Sequence, residues 1–272
     1  MTDGAVVALV GPSGTGKSTA ARTLCRDHFG YVSDETVALR PDGSVVPFPK
    51  PIALLPPSGG MKTEFGPDEL ELLPCPADLR LDGIISLERD GVCENPTIQE
   101  LGLLQGLITL VPDMSALPQL ETPLAWLARV VEQCGGVHRV RYRNADQLYE
   151  PILDVLAASS KASGFTHHPS STSEVDVPPG HVRRSSYTDA IELDGEVLLI
   201  QGSECLLLSG IGGLIWLAAG NPCTLDQVLR ELTATVGDHP EARRLAEDVI
   251  RELETMGVLL SGATAPREHG TA

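Results

Sequence analysis

The chain is poor in positive charge: 20 Lys and Arg stand against 37 Asp and Glu over 272 residues, a formal net charge of −17. The deficit is even, with 12 basic and 21 acidic residues over 1–158, then 8 and 16 over 159–272. Contacts to nucleic-acid phosphates need a basic face, so no nucleic-acid partner is expected of either half. Cysteine is sparse and unpatterned. Cys25, Cys75, Cys93, Cys134, Cys205 and Cys223 form no C-x-x-C pair, which argues against a disulfide framework or a zinc site and for a cytoplasmic location. Residues 1–4 lack a basic n-region, so no signal peptide is expected. Residues 205–225 are uncharged for 21 positions, yet Gly210, Gly212, Gly213, Gly220 and Pro222 interrupt them. They read as a strand, a turn and a buried helix, and no membrane partner is expected.

Three zones follow one another. Residues 1–158 alternate short apolar runs with Pro- and Gly-rich connections, 159–180 are small and polar, and 181–262 are again periodic. The middle zone has too little apolar content to offset its ordering, and is expected to be a flexible linker. His167 and His168 fall within it with no Cys or carboxylate at ligand spacing, so they read as a solvated pair. Residues 263–272 are expected to be a disordered tail.

In the first zone, Ala5–Val10 is an uninterrupted apolar strand, 17–28 have helical spacing, and Tyr31-Val32 begin a second strand. Between strand and helix, Gly11-Pro12-Ser13-Gly14-Thr15-Gly16-Lys17-Ser18 fits G-x-x-x-x-G-K-[ST] in the context that the motif requires. Such glycines let backbone N–H groups close around phosphates. Lys17 then reaches the β and γ oxygens, and Ser18 offers a hydroxyl to Mg²⁺. Asp34 lies only 17 residues after Lys17, where a carboxylate beside the phosphates would hold Mg²⁺ or accept a hydroxyl proton. The alternative is that Asp34 and Glu35 cap a turn. Lys50, Lys62 and Arg89 are candidates to balance charge on a transferring phosphoryl group, with surface solubility as the alternative.

G-P-S-G-T-G-K-S, a helix, then Y-V-S-D-E-T-V-A-L resembles the HPr kinase/phosphorylase superfamily. The resemblance covers about residues 5–55. It implies an ATP and Mg²⁺ site in which Gly11, Ser13, Gly14, Thr15, Gly16, Lys17, Ser18 and Thr19 hold the nucleotide. Ser18 and Asp34 would hold the metal, and Lys17, Asp34 and Glu35 would be the catalytic set. Glu35 stands where the family has a second Asp. The family's preceding strand, with its histidine, is not found ahead of residue 5.

In the third zone Tyr187–Leu193, 196–200 and Glu204–Leu208 read as three strands turned at Asp194-Gly195 and Gln201-Gly202. Helices are expected at 211–219, at 225–235 behind the capping box Thr224-x-x-Gln227, and at 241–256. This order, with L-L-L-S-G-I-G-G-L-I-W-L and E-T-M-G-V-L-L, resembles a PqqD-like peptide-recognition domain. Gly212-Gly213 depart from that pattern and are expected to weaken the first helix. The resemblance implies a winged-helix shape that binds a precursor's leader peptide as an added strand, with Cys205, Leu206, Leu207 and Leu208 as the candidate edge.

The expected fold is therefore an α/β P-loop domain, HPr kinase-like, over 1–158, and a small α+β winged-helix PqqD-like domain over 181–262. The expected function is an ATP-dependent kinase acting on a ribosomally synthesised precursor peptide. The alternative is a nucleotide-gated chaperone that holds the precursor for a separate peptide-modifying enzyme.

Overall fold

The computed structural model describes residues 4–40, 42–54, 60–171 and 176–262. It divides into two compact units, Met1–Ser115 with Leu127–Ser163, and Ala116–Trp126 with Gly164–Ala272. In chain order, β1 (Ala5–Val10) and α1 (Lys17–Asp27) precede two short strand pairs, β2 (Ala38–Leu39) with β3 (Val45–Val46) and β4 (Ile52–Leu54) with β5 (Thr63–Phe65). Next come β6 (Arg80–Arg89), β7 (Thr97–Leu101), α2 (Leu103–Leu110), α3 (Pro123–Gln133), β8 (Val137–Tyr142) and α4 (Tyr149–Leu156).

The first unit is built on one sheet of order β1-β6-β8-β7. The first three strands are parallel and β7 pairs antiparallel with β8, so β1 occupies an edge. Parallel strands bring their carboxyl ends to the same end of the sheet, the end where open α/β sheets hold ligands. Ala20 and Leu24, four residues apart on α1, pack with Ile85, Leu87, Val140, Tyr142, Ile152 and Val155. The second strand expected at Tyr31-Val32 is absent. Tyr31 makes a single bridge to Pro74, its N–H donates to the Leu73 carbonyl at 2.8 Å, and its phenol donates to the Lys50 carbonyl at 2.8 Å. These loop partners take up its hydrogen-bonding groups, and the strand that pairs with β1 is β6, about 70 residues further on.

The second unit has a sheet of order β13-β12-β11-β9, with β9 (Thr166–Ser171), β11 (Tyr187–Leu193), β12 (Glu196–Gln201) and β13 (Glu204–Leu208) all antiparallel to their neighbours. A smaller sheet joins β14 (Cys223–Thr224), β10 (His181–Arg184) and β15 (Leu259–Ser261). Helices α5 (Ile211–Ala218), α6 (Leu225–Val236) and α7 (Ala242–Thr255) complete the unit. Trp216, fully buried, is the largest side chain of its core, with Ile215, Val228, Ala246 and Leu253 around it. The Arg184 guanidinium lies 3.6 Å from the Trp216 ring centroid and donates to the Trp216 and Leu217 carbonyls, closing the end of α5. The architecture is mixed α/β with parallel and antiparallel sheets. Among the described residues no helix is long and apolar enough to cross a membrane.

Two expectations need correction. The stretch expected to be a flexible linker contains β9, whose polar sequence forms a strand because β11 supplies its ladder. Its histidines are not a solvated pair: His167 Nε2 lies 2.7 Å from Asp189 Oδ1, and the His168 ring stands edge-on to Trp216. Gly212 and Gly213 stand inside α5, which forms over Ile211–Ala218. A Cβ on Gly213 would lie 2.2 Å from the Gly195 carbonyl oxygen, so glycine is what lets the helix approach that turn. Thr224 and Gln227 form the expected capping box. The β11–β12 turn is at Asp194-Gly195, both at positive φ, whereas the next turn falls at Gly202-Ser203, one residue later than expected. The tail at 263–272 lies outside the described residues.

Asp189 is fully buried, and its Oδ2 accepts from the Leu124 and Ala125 N–H groups at 2.8 and 3.3 Å. These are free donors of the first turn of α3, so the carboxylate acts as its cap. Asp189→Ala leaves two buried N–H groups unpaired and is expected to cost about 3 kcal/mol. Asp189→Asn, which keeps an acceptor oxygen, costs less. Chemical denaturation of the two variants beside the parent checks both the size and the order.

Candidate functional site

The turn from β1 to α1 carries every residue of the phosphate-loop motif. Gly11, Gly14 and Gly16 all have positive φ, at 152°, 90° and 98°. Gly16 is the N-cap of α1 in the left-handed conformation, and no side chain caps the helix. Its first-turn N–H groups therefore have no intrahelical partner and point out of the helix N-terminus, which carries the positive end of the helix dipole. A Cβ on Gly16 would sit 2.8 Å from the Tyr142 hydroxyl. That hydroxyl donates to the Thr15 carbonyl at 2.5 Å, fixing the loop from the end of β8. Tyr142 is almost wholly buried, and burial raises its phenol pKa, so the proton needed for this bond is retained.

Thr15 Oγ1 donates to the Pro12 carbonyl at 2.8 Å, and Lys17 Nζ donates to the Gly11 and Pro12 carbonyls at 2.5 and 3.0 Å. The ammonium thus lies across the mouth of the loop. Ser13, Gly14 and Thr19 are exposed, while Gly11 is buried at the strand end.

Ser18 and Asp34 meet: the hydroxyl donates to Asp34 Oδ2 at 3.0 Å. Asp34 Oδ1 and the neighbouring Ser33 Oγ are buried and have no hydrogen-bond partner. Burial raises the Asp34 pKa and Glu35 adds to this, against the Ser18 hydrogen bond and the Lys17 and Lys50 charges. Glu35 is turned to Lys50, with which it forms an ion pair. Of the three candidate cations, Lys50 is therefore tied to the acidic pair. Arg89 reaches the loop, its Cδ being 4.0 Å from where a Gly16 Cβ would stand, and Lys62 is exposed.

The donor set suits a hard cation. A nucleotide-bound Mg²⁺ needs only one or two protein oxygens beside the phosphates, and Ser18 Oγ and Asp34 offer them. Among the described residues no group of three or more His, Cys, Asp and Glu stands ready to hold a metal by itself. Both Tyr142 and Ser33 escape a sequence reading: Tyr142 acts across 127 residues, and Ser33 is an ordinary serine until its surroundings bury it.

Cys205, Leu206, Leu207 and Leu208 lie in the other unit, in β13, which pairs with β12 alone among the described residues. The edge expected there exists. Leu208 is buried and Leu206 packs against the same core, so Cys205 and Leu207 occupy the opposite face. A two-residue turn closes β12 and β13 at the Gln201–Glu204 pair. Counting out from it, the N–H groups of Cys205 and Leu207 point away from β12.

Comparison with protein-family models, with curated proteins and with solved structures found no match.

Lys17→Ala removes the ammonium that lies on the loop and, if the loop holds Mg·ATP, is expected to weaken its binding at least about a hundredfold. Isothermal calorimetry measures this directly, and an unchanged affinity would place nucleotide elsewhere.

Proposed function

We propose that the chain is an ATP-dependent kinase acting on a ribosomally synthesised precursor peptide, with an HPr kinase-like P-loop unit and a PqqD-like winged-helix unit. The observation that carries this reading is the Ser18–Asp34 pair: one carboxylate oxygen is held by the loop's serine, the other is buried and unbonded. A base beside a phosphate loop has to be positioned and still have an oxygen for the incoming proton. Gly11, Ser13, Gly14, Thr15, Gly16, Lys17, Ser18 and Thr19 would cradle ATP. Mg²⁺, held by Ser18 and Asp34, would supply charge neutralisation on the transferring phosphoryl group.

Lys17 orients the phosphates, and Lys50 keeps Glu35 from repelling them. An acceptor hydroxyl gives its proton to Asp34 Oδ1 as its oxygen bonds to the γ-phosphorus, and ADP departs. The open edge of β13 captures the precursor's leader as an added strand, which raises the local concentration of acceptor. Burial pushes Cys25 and Cys134 up to about 12, so these thiols are inert, as suits a cytoplasmic protein.

One observation favours a second reading, a nucleotide-gated chaperone that presents the precursor to a separate modifying enzyme. Glu35, half of the acidic pair, is occupied by Lys50 and does not face the loop serine. Asp34→Asn separates the two. For a kinase, kcat falls about 10²- to 10⁴-fold while Mg·ATP affinity stays within about threefold. Only the ionised carboxylate accepts a proton, so the parent's rate falls once the pH is low enough to protonate Asp34, and the variant lacks this limb. Phosphopeptide detection by mass spectrometry, with short precursors encoded beside the gene, gives the readout. A parent protein that binds ATP and leader but yields no phosphopeptide leaves the chaperone.

The edge has its own test. Leu207→Pro deletes an outward N–H without breaking the β12 ladder, and is expected to weaken leader binding about tenfold with little change in Tm. Leu206→Pro breaks the ladder and lowers Tm. Fluorescence anisotropy of a labelled leader, with thermal melts alongside, distinguishes them. Equal binding by the Leu207 variant and the parent would show that β13 is not the edge used.

A further inference from the structure

The first unit holds a cavity of about 900 Å³ that runs from the phosphate loop along the open side of β1. Side chains of a strand alternate between faces, so a cavity on one face touches every second residue. This one touches all of Gly4 to Leu9 in succession. It therefore lies along the strand's edge, beside its main chain. Among the described residues β1 pairs with β6 alone, so its outward N–H and C=O groups face this space without a strand partner. Its lining also includes Leu24 and Leu156, and at the loop end Lys17, Ser33 and Asp34. There the buried Ser33 Oγ and Asp34 Oδ1 have no partner.

A compact apolar molecule would fill the walls and leave the row of backbone groups unpaired. An extended main chain pairs with that row, and six residues of β1 span about 20 Å. We infer that the acceptor peptide enters as an added strand on β1, delivering a hydroxyl side chain at its loop end to Asp34 Oδ1. The inference rests on the kinase reading for the chemistry but on β1 alone for the docking. It names an uncharged, β-branched segment as the preferred acceptor. The strand side chains it meets are Ala5, Val6, Val7, Ala8 and Leu9, and the carboxylates at the loop end repel acidic residues.

The experiment uses the full chain and a ten-residue peptide of alternating threonine and valine ending in serine. Two further peptides carry N-methyl groups on alternate residues, one in each phase. Amide hydrogen exchange over Ala5–Val10 is expected to slow about tenfold or more with the unmodified peptide at millimolar concentration. One methylated phase retains the effect and the other loses it, because only every second N–H of an added strand faces β1. Equal protection by both phases would mean side-chain filling, and no protection by the unmodified peptide would mean that no strand adds; either overturns the inference. Protection by Mg·ATP alone, or by raising the chain's own concentration, would assign the edge to nucleotide or to a second copy and also overturns it. Phosphoserine formed without β1 protection removes strand addition and leaves the kinase. Protection in the correct phase without phosphoserine removes the kinase and leaves the strand.

Discussion

Helix α1 starts without a side-chain cap, and the rest of the candidate site depends on that. Gly16 takes the left-handed conformation at the N-cap, where Ser, Thr or Asp would bond to the first-turn N–H groups. Glycine leaves those donors for something outside the helix, and a Cβ would in any case collide with the Tyr142 hydroxyl. The same phenol bonds the Thr15 carbonyl, so one residue at the end of β8 enforces both the glycine and the shape of the loop. A free helix N-terminus costs stability that the first unit recovers in its core, where Ala20 and Leu24 of α1 are buried against β6, β8 and α4.

Burial acts directly on the protonation of Asp34. A carboxylate that is half shielded from water, beside Glu35 and opposite Lys17 and Lys50, holds its proton more readily than an exposed one. Lys50 limits the shift by pairing with Glu35. Because the folded-state pKa is raised, ionising Asp34 opposes folding: its contribution to stability is greatest when protonated and declines as pH rises through the folded value.

The second unit uses buried polar groups differently. Asp189 serves two N–H groups at the start of α3 and His167 of β9, so each partner satisfies another and none is left for a ligand. Arg184 likewise spends its guanidinium on the end of α5 and the face of Trp216. Burial lowers its pKa, and the carbonyl bonds favour the charged form. Among the described residues this unit leaves main chain open at the β13 and β9 edges of its sheet, and the buried His168 Nε2 without a hydrogen-bond partner.

Local features were legible in the sequence. The glycine-rich turn at 11–18, the Thr224 capping box and the Asp194-Gly195 hairpin each depend on residues within a few positions of one another, and sequence spacing determines such contacts directly. Asp34 was legible because a single helix separates it from Ser18. Where the partner is distant, tertiary structure decided. Tyr142 reaches Thr15 from 127 residues away. The polar segment around His167 becomes a strand because β11 offers a ladder, and Gly213 belongs in α5 because the Gly195 carbonyl is there to be met. Above all, β6 and not the segment after α1 pairs with β1, since the loop at Leu73 and Pro74 takes the hydrogen bonds of Tyr31. Composition cannot reveal that choice. Hydrophobic pattern says that a strand will be buried, while competition among all possible partners for its backbone groups determines which side stays open.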